Sequence, residues 1–262
     1  HYWFSRDHKL LERPFQEVLS SGKPDFPFCL GWANHSWTNK SWEAGTRQQK
    51  EMTLMQMVYN EDEYIKHFYD VLPALKDKRY ITVDNKPLFL VWSPTDIPSA
   101  NTFIQLWQQL AKENGLNGIH FVGIQQSIIN DHIRLKDLLF KRIPNQAANI
   151  YQHILELGFD AINSRGYNRA DLCCRTLWDI IYRAITIRLF KYYPISKWDQ
   201  RQINQHLYSQ EDTQEHVYPT IIPNWDRSPS SGKKARIYTN STPEVFAEQV
   251  DMALNLKKKK KE

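Results

Sequence analysis

Cysteine is scarce in this chain of 262 residues. There are three, Cys29, Cys173 and Cys174, an odd number, and the adjacent pair is poorly placed for an ordinary disulfide. A disulfide-stapled scaffold therefore has no support, and a reducing, cytoplasmic compartment is the expectation. No apolar run reaches membrane-spanning length. The nearest approach, LWDIIYRAITIRLF at 177–190, is interrupted by Asp179, Arg183 and Arg188, so it reads as a helix packed on the domain, with a basic amphipathic helix on a membrane surface as the other reading. Also absent are a phosphate-cradling glycine loop of either common spacing, an H-E-x-x-H or paired-cysteine metal site, and a G-x-S-x-G nucleophile elbow. Neither a metal nor a nucleotide-binding fold is indicated, and no cofactor is expected. The net charge of +5 includes the five lysines at 257–261. With these and Glu262 set aside the body carries +1, which removes the main support for a nucleic-acid partner.

What the chain does have is enough apolar material for a substantial core, 41% hydrophobic and 13% aromatic. Short β-rich apolar runs occur at FPFCLGW (26–32), PLFLVW (87–92), GIHFVGI (118–124), GFDAIN (158–163) and VYPTIIP (217–223). Most are apolar on consecutive positions, as parallel strands buried on both faces require. Helical patterns precede the first four: KLLERPFQEVLSSG, DEYIKHFYDVLPALKD, ANTFIQLWQQLAKENG and NIYQHILELG. A further helix is expected over TPEVFAEQVDMAL, stopped by the lysine run. Alternation of this kind means an α/β architecture with a parallel sheet. The expectation is a (β/α)8 TIM-type barrel incomplete at both the N-terminal and C-terminal ends, forming one domain over 1–262 with a helical insertion at 164–215; an open doubly wound sheet is the alternative.

In either architecture functional groups gather where strands end at their carboxyl edge. That rule selects Tyr2 and Trp3; Trp32, Asn34, His35, Trp37 and Trp42; Trp92; Gln125 and Gln126; Asn163 and Arg165; and Asn224, Trp225 and Asp226. Indole faces pack on the CH-rich faces of a pyranose, and amides match its hydroxyl rim, so the set points to carbohydrate. Trp32, Asn34, Trp37, Trp42, Trp92, Asn224 and Trp225 are the candidate substrate-binding residues, although large aromatics also plug the tops of barrels. His35, between Asn34 and Ser36, is suited to proton transfer near neutral pH. Asp226 is a candidate base or acceptor for sugar hydroxyls, or else a turn residue in NWDRSPSSG. Glycosidase chemistry asks for two carboxylates at one mouth, and only Glu43 offers itself as a partner.

The blocks HYWF…LLERPFQEVLSSGKPDFPFCLGWAN, LMQ, KDKRYITVDNKPLFLVW, LGFDA and IIPNWDRSP…NSTPEVF resemble, in order and over nearly the whole chain, the WbsX-type glycosyltransferases, a bacterial group related to glycoside hydrolase family 99. The resemblance implies a (β/α)8 barrel acting on glycosidic linkages in the building of O-antigen or other cell-surface polysaccharide, with a sugar-nucleotide donor entering as substrate. Its motifs match at Trp32, Ala33 and Asn34 and at Asn224, Trp225 and Asp226. Many relatives have glutamate where this chain has His35, and a basic pair after the aspartate where it has Ser230 and Ser231. Relatives also begin earlier and run on to a closing strand with acidic residues. A family 99-type hydrolase of an α-linked glycan and an inactive glycan-binding remnant are the alternatives. The expected partner is a carbohydrate, with no transmembrane segment and peripheral membrane association left open.

Overall fold

A computed structural model describes residues 1–38, 52–124, 147–232 and 235–259. They fall into two compact units: 1–38, 52–124 and 151–163 in the first, and 147–150, 164–232 and 235–259 in the second. The protein is mixed α/β with a parallel sheet.

The first unit opens with a short antiparallel pair, β1 (Tyr2–Ser5) and β2 (His8–Leu10). Its main sheet is built from β3 (Leu30–Trp32), β7 (Lys86–Val91), β8 (His120–Ile124) and β9 (Ala161–Ser164), paired parallel in that order. All four fall inside the apolar runs or within a residue of them. The first run, however, is a regular strand only from Leu30, with Phe28 adding an isolated bridge to Tyr80. Between β3 and β7 lie another short antiparallel pair, β4 (Trp37–Thr38) and β5 (Thr53–Met55), and then β6 (Thr82–Val83), which forms a hairpin with β7. Its two connecting residues, Asp84 and Asn85, both have positive φ, 49° and 59°, the left-handed geometry that a tight hairpin demands and that Asp and Asn tolerate. Among the described residues the sheet does not close on itself.

Helices separate the strands at the expected places, over Arg13–Ser21, Glu61–Leu75, Ala100–Glu113 and Ala147–Glu156. The second shows why the chain turns helical there. Asn60 caps it by accepting the Glu63 N–H at 2.9 Å, and Glu61, Asp62 and Glu63 sit in its first turn, where the helix dipole favours negative charge. Tyr64, His67, Phe68, Val71, Ala74 and Leu75 recur at helical spacing and are buried. They meet an aromatic core formed by Phe89, Phe103, Trp107 and Phe121, with ring centroids 4.8 Å apart for Phe89 and Trp107 and 4.9 Å for Phe103 and Trp107. The Trp107 indole N–H donates to the Tyr64 carbonyl at 3.0 Å, so its one polar atom costs nothing by burial.

The second unit carries helices over Tyr167–Cys174, Leu177–Phe190 and Gln200–Leu207, a parallel pair β10 (Ser196–Asp199) and β12 (Arg236–Thr239), and the final helix Pro243–Lys259. That last helix runs on into the lysines rather than stopping before them. Only Val217–Pro219 of the VYPTIIP run is a strand, β11. Tyr167, Ala170, Ile203, Leu207, Ile222 and Tyr238 form the core. At Gly166 the first of these helices approaches the last turn of Gln200–Leu207 so closely that a Cβ would lie 1.9 Å from the Leu207 carbonyl oxygen.

Candidate functional site

The loop after β3 is built in two levels. The lower level is buried. Trp32 is 1% exposed, and its indole N–H donates to the Trp3 carbonyl at 3.0 Å. Asn34 is wholly buried and spends its amide on the segment that follows β7: its Nδ2 donates to the Ser93 carbonyl at 2.8 Å, and its Oδ1 accepts the Ser93 N–H at 2.9 Å. The Tyr59 hydroxyl donates to the Asn34 carbonyl at 2.6 Å. Desolvation raises the Tyr59 pKa to about 12, so it stays a protonated donor at any physiological pH. The Trp92 N–H donates to the Trp32 carbonyl at 3.0 Å. These bonds lock the ends of two neighbouring parallel strands to each other.

The upper level is only partly buried. His35 and Trp37 gather around Tyr2, whose ring lies edge-on to Trp37 at 4.9 Å and to His35 at 6.3 Å. Phe4 supports Trp37 from the core side at 5.5 Å. Backbone placement is firm here too: the Ser36 hydroxyl accepts the Met57 N–H at 2.9 Å, and Trp37 pairs with Met55 across β4 and β5. The sequence rule thus brings Tyr2, His35 and Trp37 together at the carboxyl end of β3, with half-buried Trp92 following the neighbouring strand. Trp32 lies beneath them, in the plugging role that the sequence left open for it, and the rule gives no hint that Asn34 lies there too. Nor does it reveal Tyr59 and Ser93, whose roles depend on partners 25 and 59 residues away.

Below this loop lies a histidine that the sequence reading passed over. His67 is completely buried, stacked on Trp3 at 4.9 Å and edge-on to Trp32 at the same distance, with its Nε2 2.7 Å from Nε2 of His1. Burial, together with the nearby positive charge of Lys9, holds its pKa well below the ordinary histidine value. It is a neutral ring in an aromatic core.

Asn224, Trp225 and Asp226 belong to the second unit. Residues 225–227 run antiparallel to β12: the Tyr238 N–H donates to the Trp225 carbonyl at 2.8 Å and the Arg227 N–H to the Arg236 carbonyl at 3.0 Å. Trp225 packs against the core with its ring 5.7 Å from Tyr167, and its buried indole N–H has no hydrogen-bond partner among the described residues. Tyr167 in turn lies under two guanidinium groups, Arg165 at 4.7 Å and Arg236 at 5.2 Å. Asn224 and Asp226 are exposed. Asp226 accepts both the Ser228 N–H at 2.7 Å and the Ser228 hydroxyl at 2.6 Å, which lowers its pKa below the usual carboxylate range. That is the geometry of a turn residue, and it makes a weak base. Trp42, Glu43, Gln125 and Gln126 lie outside the described residues.

Among the described residues no group of three or more His, Cys, Asp or Glu is arranged to hold a metal ion, and no helix is long and apolar enough to cross a membrane. No solved structure matches the chain. Two proteins of Xanthomonas campestris pv. campestris, each described as "Uncharacterized protein WxcX", are 23% identical to it over 247 residues (strain B100) and 245 residues (strain ATCC 33913). Either alignment covers 94% of this chain but 30% of the relative, so the chain spans less than a third of the length of these proteins. The model of the family described as "Glycosyltransferase WbsX" matches residues 1–262. The chain therefore belongs to the WbsX glycosyltransferase family.

Proposed function

We propose that the protein is a glycosyltransferase of surface-polysaccharide synthesis and that the loop after β3 forms part of its sugar site. The observation that carries this reading is the two-level loop: partly exposed Tyr2, His35 and Trp37 on a buried, hydrogen-bonded base at the carboxyl end of a parallel strand. Rings held this way suit the flat face of a pyranose, and the rigid base lowers the entropy lost on binding. Trp32 and Asn34 serve the site from beneath, by shaping the loop.

The strand order supports a (β/α)8 barrel. β3, β7, β8 and β9 are neighbours in the order in which they occur, with no reversal, whereas a doubly wound sheet reverses at its switch point. A barrel would bring all their carboxyl ends to one mouth. There His35 would accept the proton of the acceptor hydroxyl while the new bond to the anomeric carbon forms and the bond to the donor's phosphate oxygen breaks, the phosphate leaving with the electron pair. Asp226, ionised and engaged with Ser228, fits better as an acceptor for a sugar hydroxyl than as a base.

The test is transfer from sugar nucleotides to saccharide acceptors extracted from the host's membranes, using the full-length protein. His35→Ala should lower kcat by roughly 100-fold or more, and Trp37→Ala should act mainly on KM. Activity within about threefold of the parent in His35→Ala, with transfer established for the parent, would remove His35 from the mechanism.

A further inference from the structure

The helix Leu177–Phe190 packs the wrong way round for a soluble surface. Two of its three ionic residues face the protein: Asp179 bonds Arg175 at 3.1 Å and Arg183 at 3.0 Å, and Arg183 donates onward to the carbonyls of Pro194 at 2.7 Å and Ile195 at 3.2 Å. Most of its apolar residues face out, Ile180 being the buried exception. Trp178, Ile181, Tyr182, Ile185 and Leu189 are all exposed and fall on one continuous stripe at helical spacing, with Trp178 78% and Leu189 68% accessible. Phe190, Tyr192, Tyr193 and Ile195 extend the patch, so that half of the twenty exposed large hydrophobic residues among those described come from 177–195. An uncovered patch this concentrated marks an interaction surface.

We propose that this face docks on an anionic membrane surface. Three features favour lipid. First, residues 180–198 contain four basic side chains, Arg183, Arg188, Lys191 and Lys197, and no acidic one; Arg188, Lys191 and Lys197 are exposed beside the apolar stripe, where they can meet anionic headgroups. Second, the patch is rich in Trp and Tyr, whose apolar bodies and polar tips suit the boundary between headgroups and acyl chains. Third, a second copy is disfavoured by its own charge: a two-fold interface sets the same patch against itself and would bring these cations face to face. The helix has 14 residues, too short to span a bilayer but well matched to lying in its surface.

Co-sedimentation of the full-length protein with vesicles of neutral phosphatidylcholine, and with vesicles half phosphatidylglycerol, tests this. The protein should bind the anionic vesicles more tightly, and less so as salt is raised. Arg188→Ala with Lys191→Ala should weaken that binding by about 30-fold, and Trp178→Ser with Ile185→Ser should reduce it to background. Because all four side chains are exposed or peripheral to the core, thermal melts should match the parent. No sedimentation of the parent with either vesicle, or unchanged binding by folded Trp178→Ser, Ile185→Ser protein, would overturn the proposal. So would a dimer that these substitutions dissociate while vesicle binding stays absent, since a second copy would then be the true cover.

Discussion

Asn34 carries a large share of the strength of the loop after β3, and the consequence can be worked from its bonds. In Asn34→Ala the Ser93 N–H loses its acceptor at 2.9 Å inside a buried environment, while the Ser93 carbonyl keeps the Asp96 N–H at 3.1 Å. One stranded buried donor costs on the order of 1–3 kcal/mol, and the vacated amide volume adds to this. A loss of about 2–3 kcal/mol is expected, a sizeable part of a typical total stability of roughly 5–15 kcal/mol. Asn34→Asp sharpens the argument. One carboxylate oxygen still accepts from Ser93 N–H, but the other takes the place of a donor 2.8 Å from the Ser93 carbonyl, and two acceptors then oppose each other. Protonation restores a donor, so the introduced carboxyl has a folded pKa above its unfolded value of about 3.9. The sign follows: the variant's deficit relative to the parent is full above the folded pKa and shrinks as pH falls through it. Urea denaturation followed by fluorescence at pH 7.5 and 5, always as variant minus parent, measures both effects. An Asn34→Ala deficit below about 0.5 kcal/mol, or an Asn34→Asp deficit that does not change with pH, would refute the clamp.

Two further outcomes concern stability. Gly166→Ala should displace the Tyr167–Cys174 helix from Leu207, because the new methyl meets a backbone oxygen rather than a yielding side chain; a loss of about 1–3 kcal/mol is expected, and an unchanged melting temperature would contradict the close approach. His67, held neutral chiefly by burial, has a folded pKa below its unfolded value of about 6.5. The unfolded chain therefore binds a proton that the folded one refuses, and stability falls by up to about 1.4 kcal/mol per unit as pH drops below 6.5; His67→Phe should flatten that slope, and parallel slopes from pH 6.5 to 5 would show that the ring is not the source.

What was legible in the sequence was what local pattern controls. Phe121 and Val122 announced a strand because burial on both faces leaves apolar residues on consecutive positions, and the pattern DEYIKHFYDVLPALKD announced a helix. The β6–β7 hairpin was legible in VDNK but hidden by the longer apolar run beside it. The candidate site was legible as a place, since His35 and Trp37 do cluster with Tyr2, but not as two levels. Whether Trp32 plugs the core or faces a sugar depends on Trp3, His67 and Phe103, none of them its neighbour in sequence. The Leu177–Phe190 helix inverts the usual inference. It read as a helix packed on the domain, with a membrane surface as the other reading; the ion pairs around Asp179 hold one face to the protein and leave the apolar stripe outward.

The same bonds bear on residue 35, where the resemblance read from the sequence sets glutamate in many relatives against histidine here. The side chains on either side are committed to backbone groups far along the chain, Asn34 to Ser93 and Ser36 to Met57. Residue 35 is therefore held from both flanks by its neighbours, and its Cα–Cβ direction does not depend on what it carries. A loop pinned in this way can exchange one side chain for another at residue 35 without being rebuilt. Imidazole in place of carboxylate exchanges an oxygen acceptor for a ring nitrogen at the same point of the loop, edge-on to the ring of Tyr2. The buried level thus sets the geometry of the loop, and the chemistry we propose for it falls to residue 35.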